Sequence, residues 1–318
     1  MRSLLEEGTE RLQFAGHETF PCRYGWLKKS YDAASATPGR NVFSPEIAIA
    51  DFGVGKNMAV SMKHWALALG IIRITDGDRS KAVEFGTTEM GRMIFGGGDP
   101  YLEDLGTLWL LHWRLVSSPG RATSWYFAFN EFNDPYFTKD ILVARLTARL
   151  DDLRQSGRLA GGRITPATIG RDVDCLIRTY LPKAPSRIED GLECPFVELG
   201  VMSSLPGSGA AQFRRGPKPT LPDEVFASAL VEFWQSRYET RGALSVETVT
   251  QEPGSPGRAF LLDEESVAER LERISDVTDG NLAWDEGAGL RQVAAKTFIR
   301  TLSPIDLLRP MFSGSLVQ

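Results

Sequence analysis

Apolar residues recur at helical spacing along most of the chain. Between Ile141 and Gly157, Leu142, Leu146, Leu150 and Leu153 fall on one side of a helix. Between Asn57 and Leu69, Met58, Met62, Trp65 and Leu69 do the same, and Gly70 stands where a C-terminal cap belongs. Four helix starts are written as a capping residue followed by proline: Ser44-Pro45, Asp99-Pro100, Thr165-Pro166 and Ser303-Pro304. The pattern predicts helices over 44–51, 57–69, 141–157 and 165–180, and in the C-terminal part over 222–238, 263–275 and 287–301. Strand-like stretches are short. Ile71-Ile-Arg-Ile74 and Ala82-Val-Glu-Phe85 flank Asp76-Gly77, which is a hairpin signal. Phe260-Leu-Leu262 reads as a short strand. Helix, turn, helix, hairpin is the order of a winged helix-turn-helix. Similar pieces recur, so the expected fold is mainly α with small β-hairpins, built from several winged helix-turn-helix-like units.

Charge divides this picture unevenly. Between Lys139 and Arg187 there are ten Lys/Arg and five acids, net +5. From Thr220 onward there are nine bases and sixteen acids, net −7. The stretch Leu205–Pro219 between them is rich in Gly, Pro and Ser and reads as a linker. The expected organisation is an N-terminal winged-helix-like, aromatic-rich domain (1–137), a basic helical domain (138–204), a linker (205–219) and an acidic winged-helix-like domain (220–318).

Composition adds mainly exclusions. Of 318 residues, 42% are hydrophobic and 24% charged, which fits a globular chain and not a disordered one. No apolar run reaches the roughly 18–20 residues of a membrane span. The start, Met1-Arg-Ser-Leu-Leu-Glu-Glu, lacks the apolar stretch of a secretory signal, so a cytoplasmic protein is expected. Cys22, Cys175 and Cys194 are an odd number without a CxxC pair, which argues against a disulfide scaffold or a structural zinc site. A net charge of −5 excludes a uniformly basic nucleic-acid binder but leaves room for a local basic face.

Several segments carry candidate chemistry, each with a structural alternative. Phe14-Ala-Gly-His-Glu-Thr-Phe-Pro21 sets His17 beside Glu18 in a loop, where they can ligate a metal or move a proton. Alternatively His17 anchors the N-terminal segment. In Asp99-Pro-Tyr-Leu-Glu-Asp104, the carboxylates of Asp99, Glu103 and Asp104 suit Mg²⁺ or Mn²⁺ in a nuclease. Equally, Asp99 can cap a helix whose first turn holds the other two acids. Arg23, Lys28 and Lys29 can hold phosphates while Tyr24 or Trp26 stacks on a base. Otherwise Trp26 and Leu27 belong to the core of an ordinary amphipathic helix.

Gly53-Val-Gly-Lys-Asn57 is a poor P-loop, because it lacks the spacing and the Ser/Thr after Lys. It does expose backbone N–H groups at a helix N-terminus, where Lys56 adds positive charge. On the helix that follows, Asn57, Ser61 and His64 are expected opposite the apolar face, in reach of bases, with Lys63 holding a phosphate. Arg145 and Arg149 in the basic block and Arg214 and Arg215 in the linker complete the expected DNA contacts. Nine aromatics between Trp109 and Phe137 read as core rather than a stacking platform, and His112 as a satisfied core histidine.

Taken together, Phe14–Phe20, Trp26–Lys29, Gly53–Asn57, Asp99–Asp104, Thr107–His112 and Trp125–Asn130 resemble the domain of unknown function 4007 family, and Glu189-Asp190 and Ser255–Phe260 continue the resemblance. Members of that family sit beside sulfur-handling proteins in bacterial DNA phosphorothioation and phage-defence gene clusters. The resemblance implies a DNA-binding component that nicks DNA to give sulfur-transfer enzymes access to the backbone. A non-catalytic adaptor or regulator that recruits those enzymes is the alternative. The acidic candidates, not the resemblance, suggest Mg²⁺ or Mn²⁺ as cofactor. The implied partners are DNA and the modification proteins of the same cluster; a homodimer is an open expectation, and no membrane is expected. No catalytic residue follows from the resemblance.

Overall fold

The computed structural model describes residues 3–75, 83–159, 164–181, 194–287 and 289–313. It is mainly α, with three small antiparallel sheets. The expected hairpin turn at Asp76-Gly77, with Ala82, lies outside the described residues, as do Arg163, Lys183, Arg187 and Glu189-Asp190.

A first unit follows the short α1 (Leu4–Glu7). It comprises α2 (Trp26–Ala36), α3 (Pro45–Phe52), α4 (Lys56–Ala68) and the strands β1 (Ile72–Thr75) and β2 (Glu84–Thr87). Gly53, at φ 65°, ends α3 in the left-handed conformation that glycine adopts without strain, and Gly55 opens α4. Helices α5 (Glu89–Met93), α6 (Leu105–Val116) and α7 (Thr123–Asn130) follow. All eight residues of α7 are buried, as are nearly all of α6, as expected of helices that are apolar on every side.

The second unit is β3 (Tyr136–Phe137), α8 (Lys139–Gln155), α9 (Pro166–Tyr180), β4 (Met202–Leu205) and β5 (Ala210–Phe213). The third is α10 (Asp223–Arg237), β6 (Ala243–Ser245), α11 (Val246–Gln251), α12 (Pro256–Ala259), α13 (Glu264–Glu272), α14 (Ile274–Val277), β7 (Leu282–Gly287) and β8 (Leu290–Ala295); α15 (Arg309–Ser313) follows it. The strand orders of the two complete sheets match: β3-β5-β4 and β6-β8-β7. In each, the first strand pairs with the last. The first unit follows the same rule, because Arg40 bridges to Phe85 in β2. One connectivity thus occurs three times without a visible repeat in sequence.

The Leu142, Leu146, Leu150 and Leu153 stripe is buried along α8, and Thr165 caps α9 as its sequence predicts. Eight of the nine aromatics between Trp109 and Phe137 are buried; Tyr136 is exposed. Trp26 and Leu27 join the same core.

Other expectations fail. The segment 287–301 is not a helix, because Gly289 at φ 81° turns β7 into β8 and Leu290–Ala295 pairs with two strands. Phe260-Leu-Leu262 is not a strand: its three side chains are buried after α12, with Leu261 at φ 55°. Leu205–Pro219 is not a free linker, since it holds the central strand β5 and the buried Lys218. Helix α6 starts at Leu105, five residues after Pro100, because Leu102 at φ 58° interrupts the helical path. Ser303-Pro304 opens a turn and a short 3₁₀ segment.

Candidate functional site

The loop before α2 folds inward. His17 is buried, and its Nε2 lies 3.0 Å from Oδ1 of Asp172 on α9. The same carboxylate accepts the Ala15 amide at 2.6 Å and the Ser124 hydroxyl at 2.7 Å. The other ring nitrogen, Nδ1, accepts the Thr19 amide at 3.1 Å. That pattern fixes a neutral ring with its proton on Nε2. Both nitrogens of His17 are engaged, so it is not free to serve a metal or a substrate. His17 thus anchors the loop through both ring nitrogens. Glu18, next in sequence, is exposed, so the two side chains do not form a pair.

The loop is also strained. Ala15, Glu18 and Thr19 have φ of 55°, 48° and 69°, a region that costs non-glycine residues roughly 1–3 kcal/mol each. The guanidinium of Arg178 holds the Thr19 carbonyl at 2.6 Å. Burial of His17 and the Asp172 network offset the strain.

Ser61 and His64 are corrected as base-reading residues. Both are buried, Ser61 completely. The Ser61 hydroxyl and the Trp65 indole both donate to the Phe20 carbonyl. The loop 14–20 therefore covers the face of α4 that its own spacing leaves open. The His64 ring centroid is 5.9 Å from that of His17. Burial above all pushes its pKa down to about 3. Among the described residues, neither His64 Nε2 nor Trp125 Nε1 has a hydrogen-bond partner.

Asp99 is buried, and its two oxygens accept the amides of Glu103 and Asp104 at 2.9 and 3.2 Å. Asp104, not Asp99, is the N-cap of α6 and accepts the Gly106 amide at 2.7 Å. Asp99 and Asp104 thus have structural roles, while Glu103 is exposed. Among the described residues, no three His, Cys, Asp or Glu side chains group so as to hold a metal ion. The acidic turn offers no ready cage for Mg²⁺ or Mn²⁺.

Most expected basic contacts are already engaged. Arg149 joins Glu131 at 2.7 Å and Glu6 at 2.8 Å; Arg145 joins Asp134 at 3.3 Å; Lys28 joins Asp32 at 2.6 Å. Arg23 lies over the rings of Phe20 and Trp26. Lys29 donates to the Phe52 carbonyl. Arg215 donates to the Leu262 carbonyl, and the Arg214 side chain is exposed. Lys56 and Asn57 are exposed in the first turn of α4, and Lys63 is half-buried.

His112 is the satisfied core histidine expected of it, with Nδ1 2.8 Å from the Tyr180 hydroxyl and Nε2 2.9 Å from the Ala259 carbonyl. Burial lowers its pKa to about 4. All three thiols are free, buried and raised in pKa by that burial, so none is primed as a nucleophile.

Residues 14–308 match the protein family described as Protein of unknown function (DUF4007). The chain belongs to that family. Two solved structures of SspB, one of them magnesium ion-bound, are similar over almost all of it. The first is 33% identical with a TM-score of 0.85, covering 99% of this chain and 92% of its own. The magnesium-bound one is 32% identical with a TM-score of 0.84, covering 100% and 92%. No curated protein matches the chain. The matched segment begins at Phe14, so the strained loop, the acidic turn and the start of α4 all lie within the family region. Sequence reasoning missed Asp172 and Ser124. The pattern of spacing has no signal for either, since Asp172 is 155 positions from His17.

Proposed function

We propose that the chain is a DNA-binding component of a DNA phosphorothioation system, that it grips duplex DNA at the start of α4, and that it nicks the bound strand. The likeness to SspB, a component of such a system, supports the general role. The three repeated units are read as winged helices, each placing helices between a first strand and a closing hairpin. The observation that carries the DNA reading is the contrast between α4 and α13. Helix α4 opens with Lys56-Asn57 after an exposed Gly-Val-Gly turn and has no acid in its first turn. Helix α13 opens with Glu264-Glu265. A helix N-terminus with free amides and a lysine attracts a phosphate, whereas one lined by glutamates repels it.

In this reading the α4 amides and Lys56 take a phosphate, and Asn57 reaches toward base edges. Arg23, Lys28, Lys29 and Lys63 add charge along the same unit. Nicking would open the linkage that sulfur-transfer enzymes must reach. The magnesium-bound SspB structure supports a metal-dependent step, with Glu18 and Glu103 as the exposed candidate acids.

A second reading, a non-catalytic adaptor, is favoured by the commitment of the Asp99 and Asp104 carboxylates to backbone amides. Supercoiled plasmid tests both. Metal-dependent open circles from the wild type, lost in Glu18→Ala or Glu103→Ala, support the nickase. Intact supercoils with a salt-sensitive gel shift support the adaptor. Wild-type DNA affinity in the Lys56→Glu, Lys63→Glu variant would remove the α4 interface from either reading.

A further inference from the structure

We propose that Phe298, flanked by Lys296 and Arg300, forms a stacking platform for an unpaired base of single-stranded DNA. A lone exposed apolar side chain is ordinary on a protein surface. Phe298 differs in three respects. It is 83% exposed, the most open of the large apolar residues described. Its backbone is fixed, because the Phe298 carbonyl accepts both the amide and the hydroxyl of Thr301 at 2.8 Å. The next residue, Ile299, is buried, and the Gln235 side chain of α10 donates to the carbonyls of Ile299 and Leu302 at 2.8 and 2.7 Å. An anchored turn thus holds the ring out in solvent.

The third respect is charge. Lys296 and Arg300 stand on either side of Phe298 in the chain, and both are exposed. The turn that follows α10 runs alongside, since the Ala295 amide donates to the Gly242 carbonyl at 2.9 Å and Arg300 Nε joins Glu239 at 2.9 Å. That turn brings a third cation, Arg241, whose exposed guanidinium lies 4.5 Å from the centroid of the Tyr238 ring. Among the described residues, neither Lys296 nor Arg241 has a carboxylate within 4.0 Å. The pair of Arg300 with Glu239 is open to water, where such pairs are weak and a phosphate can compete. The apolar centre of a protein–protein interface is depleted of charge, so cations beside the ring do not suit one. They suit a ligand that is aromatic where it meets the ring and anionic around it. A DNA strand has that chemistry: a base stacks on the ring and its phosphates meet the cations. Bases inside a duplex are covered by their neighbours, so the ring selects an unpaired one. The platform rests on the DNA-binding reading above, in which nicking frees a strand end whose bases can unstack.

The test is fluorescence anisotropy of the full chain with a labelled oligothymidine strand and, separately, with a mixed-sequence duplex. Phe298 is exposed, so its variants keep the core intact. Phe298→Ala should bind the single strand about tenfold more weakly, as expected when one stacking ring is lost. Phe298→Leu keeps apolar surface without a π-face and should be about as weak, whereas Phe298→Trp should restore binding. Duplex affinity, assigned to α4, should be the same in all three. Lys296→Gln with Arg300→Gln should flatten the log–log salt slope of single-strand binding by about 0.7 for each phosphate no longer neutralised. Wild-type affinity for the strand in Phe298→Ala overturns the platform. Wild-type affinity in Phe298→Leu overturns it too, because the ring would then be a plain apolar contact. A wild-type protein that grips the duplex but not the strand overturns the platform and leaves the α4 reading standing. Binding to neither DNA removes the DNA reading itself, and the platform with it.

Discussion

Replacing Asp172 by alanine tests the anchoring role of the inward-folded loop. The substitution strands three buried donors: the Ala15 amide, the His17 Nε2–H and the Ser124 hydroxyl. A stranded buried donor costs about 1–3 kcal/mol. Two effects limit the total. The Ser124 hydroxyl can turn toward another acceptor, and release of the loop relieves the strain at Ala15, Glu18 and Thr19. The expected loss is about 3–4 kcal/mol, the cost of the stranded donors less those two effects. With a urea slope of about 3 kcal/mol per molar, the unfolding midpoint should fall by about 1 M at neutral pH. Asp172→Asn keeps one oxygen for the Ala15 and His17 donors and should fall by only about half as much. The assay is urea unfolding followed by tryptophan fluorescence, since Trp65 and Trp125 flank His17. A midpoint within about 0.2 M of wild type for the alanine variant would refute the anchoring role. A large loss of plasmid nicking in Asp172→Asn at unchanged midpoint would return His17 to the catalytic candidates.

Acid should destabilise the fold through two histidines. Their pKa values are about 3 for His64 and about 4 for His112 when folded, against 6.5 as the ordinary value. Below 6.5 the unfolded chain takes up protons that the folded chain refuses, so stability falls as pH falls toward the folded values. At pH 5 the two together should cost about 4 kcal/mol, and equal urea midpoints at pH 7 and 5 would contradict this. Thr19→Gly removes a β-branched residue from φ 69° and should raise stability by about 1 kcal/mol, net of the flexibility glycine adds to the unfolded chain; a lower midpoint would mean the side chain contributes more than the strain costs. Leu150→Ala, at a fully buried position of α8, should lose about 2–5 kcal/mol in the same assay. A loss below about 1 kcal/mol there would show that α8 is not packed as described.

What the chain's own pattern determined is local. Leucines at i, i+4, i+8 and i+11 make a helix with one buried side wherever they stand, so α8 was legible from Leu142 to Leu153. Thr165-Pro166 could be read as the start of α9 for the same reason, because a cap acts within one turn. The aromatic run from Trp109 to Phe137 had to be mostly core, since so much ring surface is costly to leave in water.

Tertiary structure decided whatever depends on partners far apart in sequence. Ser61 and His64 lie opposite the most apolar stripe of α4, yet a loop more than forty positions earlier closes over them. Asp104 rather than Asp99 caps α6 because of one left-handed residue, Leu102. Leu290–Ala295 became a strand because β6 and β7 supply partners on both sides. The pairing of His17 with Asp172 leaves no trace in local spacing. Periodicity reports which side of an element is apolar; a hydrogen bond between distant segments exists only once they meet.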